Sequence, residues 1–186
     1  MRQSYGMTRA LIIVDIQNDY FPGGALPLSG SVAAGEKASE VLGHFRETEQ
    51  PIVHIQHVQL EPDASFFAKG TVGVEIHPLV QPRDGETHFV KHTPNSFVGT
   101  PLLQHLRDLN VNDLVVVGMM THMCIDSTVR AAFDHGFSID LVGQACATYE
   151  QTYNGFTLPA EMIHATFLAA LDGTFATVRT VADVTT

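Results

Sequence analysis

Nearly continuous apolar runs occupy residues 10–14, 52–55, 114–117 and 139–142, with a weaker one at 175–178. They are rich in Ile, Val and Leu and do not alternate with polar residues. That is the pattern of strands buried on both faces of a parallel sheet. A shorter run at 88–90 predicts a sixth strand. Between the runs, apolar positions repeat at helical spacing. Ala38, Val41, Leu42 and Phe45 mark one face of a helix over about 31–48. Thr100-Pro101 reads as an N-cap with Pro at the first helical position, followed by Leu102, Leu103 and Leu106. Ile125, Val129, Ala132 and Phe133 form a third face closed by Gly136. Pro159, Met162, Ile163, Thr166, Phe167 and Ala170 form a fourth, closed near Gly173. Strands alternating with helices predict an α/β fold with a mostly parallel sheet and helices on both faces. Residues 61–83 have weak periodicity and several turn residues, and are long for a structureless connection. They are expected to be a functional loop.

The 186 residues suit one domain, 1–186. With 45 % hydrophobic and 16 % charged residues, the chain falls among soluble globular proteins. A formal charge of −10 makes nucleic acid a poor partner, because an acidic surface repels phosphate. The apolar run near the N-terminus is too short for a membrane span and ends on Asp15. Two cysteines, Cys124 and Cys146, suggest no disulfide framework, so a reducing cytoplasm is the expected setting. Ten histidines are scattered without metal-site spacing.

Ligands of open parallel sheets bind beyond the carboxyl ends of the strands. Three chemically capable residues are expected there. Asp15 ends the first strand in LIIVDIQND, Lys91 ends THFVK, and LVVVG is followed at once by MMTHMC, which delivers Cys124. With Thr121 as N-cap, Cys124 falls in the first helical turn. The helix N-terminus and a nearby Lys91 ammonium would both favour thiolate. First-turn amides are free to donate to an oxyanion. Cys146 follows LVGQA in what reads as a loop with no adjacent base or cation, and is expected to be structural.

These motifs together resemble the isochorismatase-like cysteine hydrolases, whose members include nicotinamidases, carbamoyl-amide hydrolases and streptothricin-hydrolase-like enzymes. The likeness runs from ALIIVDIQNDYFPGGALP to LAALDGTFATV, and VVVGMMTHMCIDSTVRAAFDHGF is its most specific block. It implies a three-layer α/β/α sandwich with a six-stranded parallel sheet. It implies Asp15, Lys91 and Cys124 as catalytic residues, and a cis peptide between Met119 and Met120. That bond turns the Met120 amide toward the same oxyanion site as the Cys124 amide. It also implies homodimers or homotetramers. Nicotinamidases carry D-x-H after the second strand, where this chain has Gln56, His57 and Val58. A metal-independent enzyme without cofactor is therefore expected. Where many relatives have Asp before the A-x-A turn, this chain has Gln144.

The expected reaction is cleavage of a small-molecule amide, carbamoyl or lactam bond through a Cys124 thioester. Tyr20, Phe21, His57, Phe97, Met123 and Tyr149 are candidate pocket walls by closeness to the motifs, with His88 and His122 as further polar candidates. Other readings stay open: vinyl-ether hydrolysis, a redox-sensing thiol, a non-catalytic binding module or a metal-dependent hydrolase.

Overall fold

The computed structural model describes residues 8–186. The predicted strands form a sheet of β1 (Thr8–Val14), β2 (Ile52–His57), β3 (Thr87–Lys91), β4 (Val111–Met119), β5 (Ser138–Ala147) and β8 (Thr177–Arg179). Their order is β3-β2-β1-β4-β5-β8, and every neighbouring pair is parallel. The expected six-stranded three-layer fold is the one observed. Odd and even positions of β1 point to opposite faces, so each strand feeds two cores. Leu11 and Ile13 pack with Ala38, Val41, Leu42 and Phe45 of helix α1 (Ser31–Glu47). Ala10, Ile12 and Val14 pack on the other face with Leu102 and Leu106 of α2 (Leu102–Asp108) and Val129 and Ala132 of α3 (Asp126–Asp134). α4 (Ala160–Leu171) adds Leu171 and Leu168 to that second core.

Several local details differ from the sequence expectation. Pro101 is itself the cap of α2 rather than its first residue, and Thr100 Oγ1 accepts from the Leu102 amide at 3.4 Å. Cys146 lies in strand β5, not in a loop, and is paired with Gly118 of β4. A hairpin of β6 (Gln151–Tyr153) and β7 (Phe156–Leu158) went unpredicted, although Asn154-Gly155 between them is a strong two-residue turn signal. Both turn residues have positive φ, 48° and 79°. A short α5 (Val181–Val184) is closed by a Thr180–Asp183 capping box. Gln144 Oε1 accepts from the Val181 amide at 3.1 Å, so this residue anchors the start of α5.

The connectivity runs outward from β1 through β2 to β3, then returns to place β4 on the other flank of β1. The chain therefore switches direction between β1 and β4, and a crevice opens at their carboxyl ends. The two strands draw unusually close there. Gly118 has φ +138°, and a Cβ on it would lie 2.0 Å from the Val14 carbonyl oxygen. Only glycine meets both demands. Gly118→Ala should destabilise the fold by about 3 kcal/mol or more, from backbone strain plus overpacking. Denaturant unfolding measures this, and a loss below about 1 kcal/mol would contradict it.

Candidate active site

Asp15 leaves β1 with φ 51°, a left-handed conformation that Asp tolerates better than most residues. Its amide remains tied to Ile55 O at 3.0 Å. Lys91 ends β3, two strands away from β1. Neighbouring strands are about 4.8 Å apart, so the full length of the lysine side chain is needed to cross β2. It passes the end of β2, where His57 is paired with it in register. Cys124 arrives from the other flank, on a π-helical turn (Thr121–Ile125) between β4 and α3. Carboxylate, ammonium and thiol thus meet at the switch point, with exposures of 0 %, 1 % and 4 %.

The Lys91 ammonium is the centre of the cluster. Nζ donates to His57 Nδ1 at 2.9 Å, to Thr93 O at 3.1 Å and to Cys124 Sγ at 3.3 Å. Asp15 Oδ2 lies 2.6 Å from Nζ, an ion pair off the hydrogen-bonding direction. Neither Asp15 oxygen has an aligned donor, so both keep lone pairs for an incoming proton. Burial lowers the Lys91 pKa, but the adjoining Asp15 and Cys124 outweigh it and the net shift is upward. Burial raises the Asp15 pKa against the opposing pull of Lys91. Burial, and then the Asp15 charge, drive the Cys124 thiol well above its ordinary value despite Lys91.

That last result corrects the thiolate expected from sequence. The helix-start argument omitted the cost of stripping water from a sulfur anion beside a carboxylate. Cys124 rests as a thiol. Thr121 is not the cap either: Met120 occupies that position, and Thr121 Oγ1 pairs with His164 Nδ1 at 2.8 Å. The peptide between Met119 and Met120 is cis, as the resemblance implied.

The candidate wall residues divide. Tyr20 is buried beside the cluster; burial, then Cys124, Asp15 and Tyr149, raise its pKa. Its ring lies 4.5 Å from that of Phe67, whose ring is 6.0 Å from His57. Tyr149 meets His122 edge-on at 5.8 Å, and His122 Nδ1 is 2.6 Å from Thr148 Oγ1. Met123 is 41 % exposed, next to the nucleophile in sequence. Phe21 instead stacks on His77 at 3.6 Å and packs against Gly35 of α1. Phe97 packs against His135 and Phe137, at the other end of α3 from Cys124. Phe21 is buried and joins the core around α1, while Phe97 is half-buried and packs on the core of the other face. His88 is exposed on the edge strand β3.

Sequence reasoning missed Phe66, Phe67, Gln17 and Asp19. Gln17 clamps His57 from both sides of its backbone, accepting from its N at 2.8 Å and donating to its O at 2.9 Å. The Asp19 carboxylate accepts from the amides of Phe67 at 2.6 Å and Ala25 at 3.0 Å. The Asp19–Phe67 contact, with Gln17 Nε2 donating to Val74 O at 2.7 Å, fastens the 61–83 loop beside the site. The DIQND string carried the signal, since three of its polar residues, Asp15, Gln17 and Asp19, are buried. A cavity of about 470 Å³ lies elsewhere, lined by Asp113, Phe137 and Phe175 at the amino ends of β4 and β5.

A buried thiol, a carboxylate and an ammonium at the carboxyl edge of a parallel sheet define a cysteine-hydrolase centre. The chain belongs to the isochorismatase family, whose isochorismatase domain matches residues 9–183. It is 48 % identical over 174 residues to the uncharacterized isochorismatase family protein YddQ of Bacillus subtilis, covering 94 % of this chain and 97 % of that one. It is 31 % identical over 151 residues to the nicotinamidase/pyrazinamidase of Mycobacterium tuberculosis, covering 70 % and 81 %. A solved structure assigned to the isochorismatase hydrolases, from Oleispira antarctica, superposes with TM-score 0.94 at 40 % identity over 98 % of both chains.

Asp15, His57 and Cys124 offer ligand atoms all within 4.8 Å of one another, a set chemically suited to zinc. Lys91 Nζ already sits against all three, so the seat of positive charge is filled by an ammonium. Lys91→Ala should leave the Asp15 charge uncompensated and destabilise the fold by about 3–5 kcal/mol. Zinc should then raise the melting temperature of Lys91→Ala and leave the wild type unmoved. Equal responses of the two proteins would contradict this account.

Proposed function

We propose that this isochorismatase-family hydrolase is a metal-independent cysteine enzyme cleaving a C–N bond, of amide, carbamoyl or lactam type, in a small molecule. One observation carries the reading: the thiol, a carboxylate with no aligned donor, and a fixed ammonium share a single buried site. The thiol proton passes to Asp15 as Sγ attacks the carbonyl carbon. The amides of Met120 and Cys124 receive the oxyanion, in the turn where helix-start donors are available. The tetrahedral intermediate collapses, Asp15 returns the proton to the departing nitrogen, and the C–N bond breaks. Asp15 then takes a proton from water, whose oxygen attacks the thioester and releases the acid and the Cys124 thiol. Lys91 opposes the upward pull of burial on Asp15 and stabilises each anionic partner.

The high thiol pKa favours this reading over a redox sensor. Sensors need an accessible thiolate, and Cys124 is buried and protonated. Cys146, the other thiol, is also pushed up, to about 12, by burial. In a screen of small primary amides, ureides and lactams, turnover should accompany an acyl adduct on Cys124 seen by intact mass. Cys124→Ala should lose at least about 10⁴-fold in rate, the scale of a lost covalent route. Undiminished hydrolysis by Cys124→Ala would sink the mechanism.

Self-assembly belongs to the same reading. Tyr153 and Phe156 of the hairpin are 80 % and 72 % exposed, with Met162 of α4 also exposed nearby in sequence. Such apolar exposure suits an interface. Light scattering should give a mass of at least two chains, and Tyr153→Ser with Phe156→Ser should lower it. A monomeric wild type would refute this part.

A further inference from the structure

His57 holds a hydrogen-bond donor that nothing in the described protein uses. Its Nδ1 faces the Lys91 ammonium at 2.9 Å. An ammonium only donates, so Nδ1 is the accepting nitrogen and the ring proton resides on Nε2. Nε2 is buried and has no partner. A buried donor left unmatched costs about 1–3 kcal/mol, so its persistence calls for an acceptor that arrives with a ligand. The ring is also fixed in place. Gln17 clamps its backbone on both sides, and Phe67 flanks it at 6.0 Å. A ring nitrogen of His57 lies within 4.8 Å of ligand atoms of Asp15 and Cys124, so the imidazole adjoins the sulfur that attacks.

Proton transfer is not the role the surroundings support. Burial, Lys91 and His92 lower the His57 pKa to about 3, so the ring is neutral near pH 7 and donates without titrating. The acceptor it suits is itself neutral. Among the described residues the ammonium at the site is that of Lys91, already matched by Asp15 at 2.6 Å, and Asp15 Oδ2 is 3.9 Å from His57 Nδ1. A substrate carboxylate there would meet Asp15 with no spare cation to offset it.

Resting on the amide-hydrolase reading, we propose that His57 is a specificity-determining residue whose Nε2–H binds a neutral carbonyl or ring-nitrogen acceptor of the substrate, beside the bond that Cys124 attacks. The substrate class is thereby narrowed to amides that are uncharged beside the bond that is cleaved.

Alkylation of Cys124 in the full chain tests this without requiring turnover. Three probes are used: iodoacetamide, which carries a neutral acceptor; iodoacetate, which replaces it with a carboxylate; and allyl bromide, which has neither. Each rate, read from the mapped Cys124 adduct, is divided by the rate with glutathione. Changes in thiol reactivity then cancel in the ratio of probes. The wild type should favour iodoacetamide over allyl bromide by about tenfold, the worth of one buried hydrogen bond. Iodoacetate should show no such gain. His57→Phe should abolish the preference. His57→Gln should restore it to within about threefold, because its amide can both accept from Lys91 and donate to the probe. A wild-type ratio equal to that of glutathione overturns the proposal whatever the variants do, and so does a preference that survives in His57→Phe. A gain with iodoacetate overturns the neutral-acceptor assignment. A chain that shows the His57-dependent preference yet hydrolyses no amide refutes the reaction assigned above and leaves this inference standing.

Discussion

Moving an ammonium out of water costs several kcal/mol unless its hydrogens and its charge are both answered. Lys91 is answered four times, by His57, Thr93, Cys124 and Asp15. Each partner comes from a different place in the chain, so the cost is met only when the strand ends stand in register. The requirement runs both ways. Asp15 is wholly buried and, among the described residues, Lys91 alone brings it a cation, so without Lys91 it would lose its charge or its place. The ion pair is thus a condition for the strand ends coming together as well as a reactive feature of the site.

The sheet order makes that convergence possible. β1 lies between β2 and β4, so Asp15 and the turn carrying Cys124 flank one crevice. β3 is too distant for a short side chain to contribute, and the lysine spans the gap with His57 bridging it midway. Gly118 completes the approach by letting the β4 backbone lie against Val14. The thiol therefore reaches the carboxylate with almost no water between them. In so dry a place, the proposed proton transfer from sulfur to carboxylate exchanges one buried anion for another and separates little charge.

Much of this was legible in the chain. The apolar runs were dense enough to mark all six sheet strands, and their polar ends marked Asp15, Lys91 and Cys124. Nothing in those runs announced the thiol's protonation state, which depends on water excluded by residues distant in sequence. Phe21 and Phe97 look like wall residues by adjacency to motifs, but adjacency does not show that Phe21 stacks on His77 or that Phe97 packs against His135 and Phe137. Phe67 was invisible for the complementary reason. It sits in an irregular loop without periodicity and reaches the site only because Asp19, far back in the chain, accepts its amide. The β6–β7 hairpin was readable from Asn154-Gly155, but a three-residue strand on each side has too few apolar positions to register as a run.

The backbone clamp at Gln17 and Asp19 divides labour between two kinds of chain segment. The reacting groups stand on strand ends and a helix start, which the sheet holds rigid. The Phe66–Phe67 pair hangs from the β2–β3 connection and is fastened by side-chain contacts to backbone atoms, which are indifferent to the identity of the residues they hold. A homologue could exchange Phe66 and Phe67 for other side chains while keeping both fastenings and leave the proton-handling cluster undisturbed. Such a scaffold is well placed to diversify: one chemistry can be offered to a succession of small molecules by rewriting a single loop.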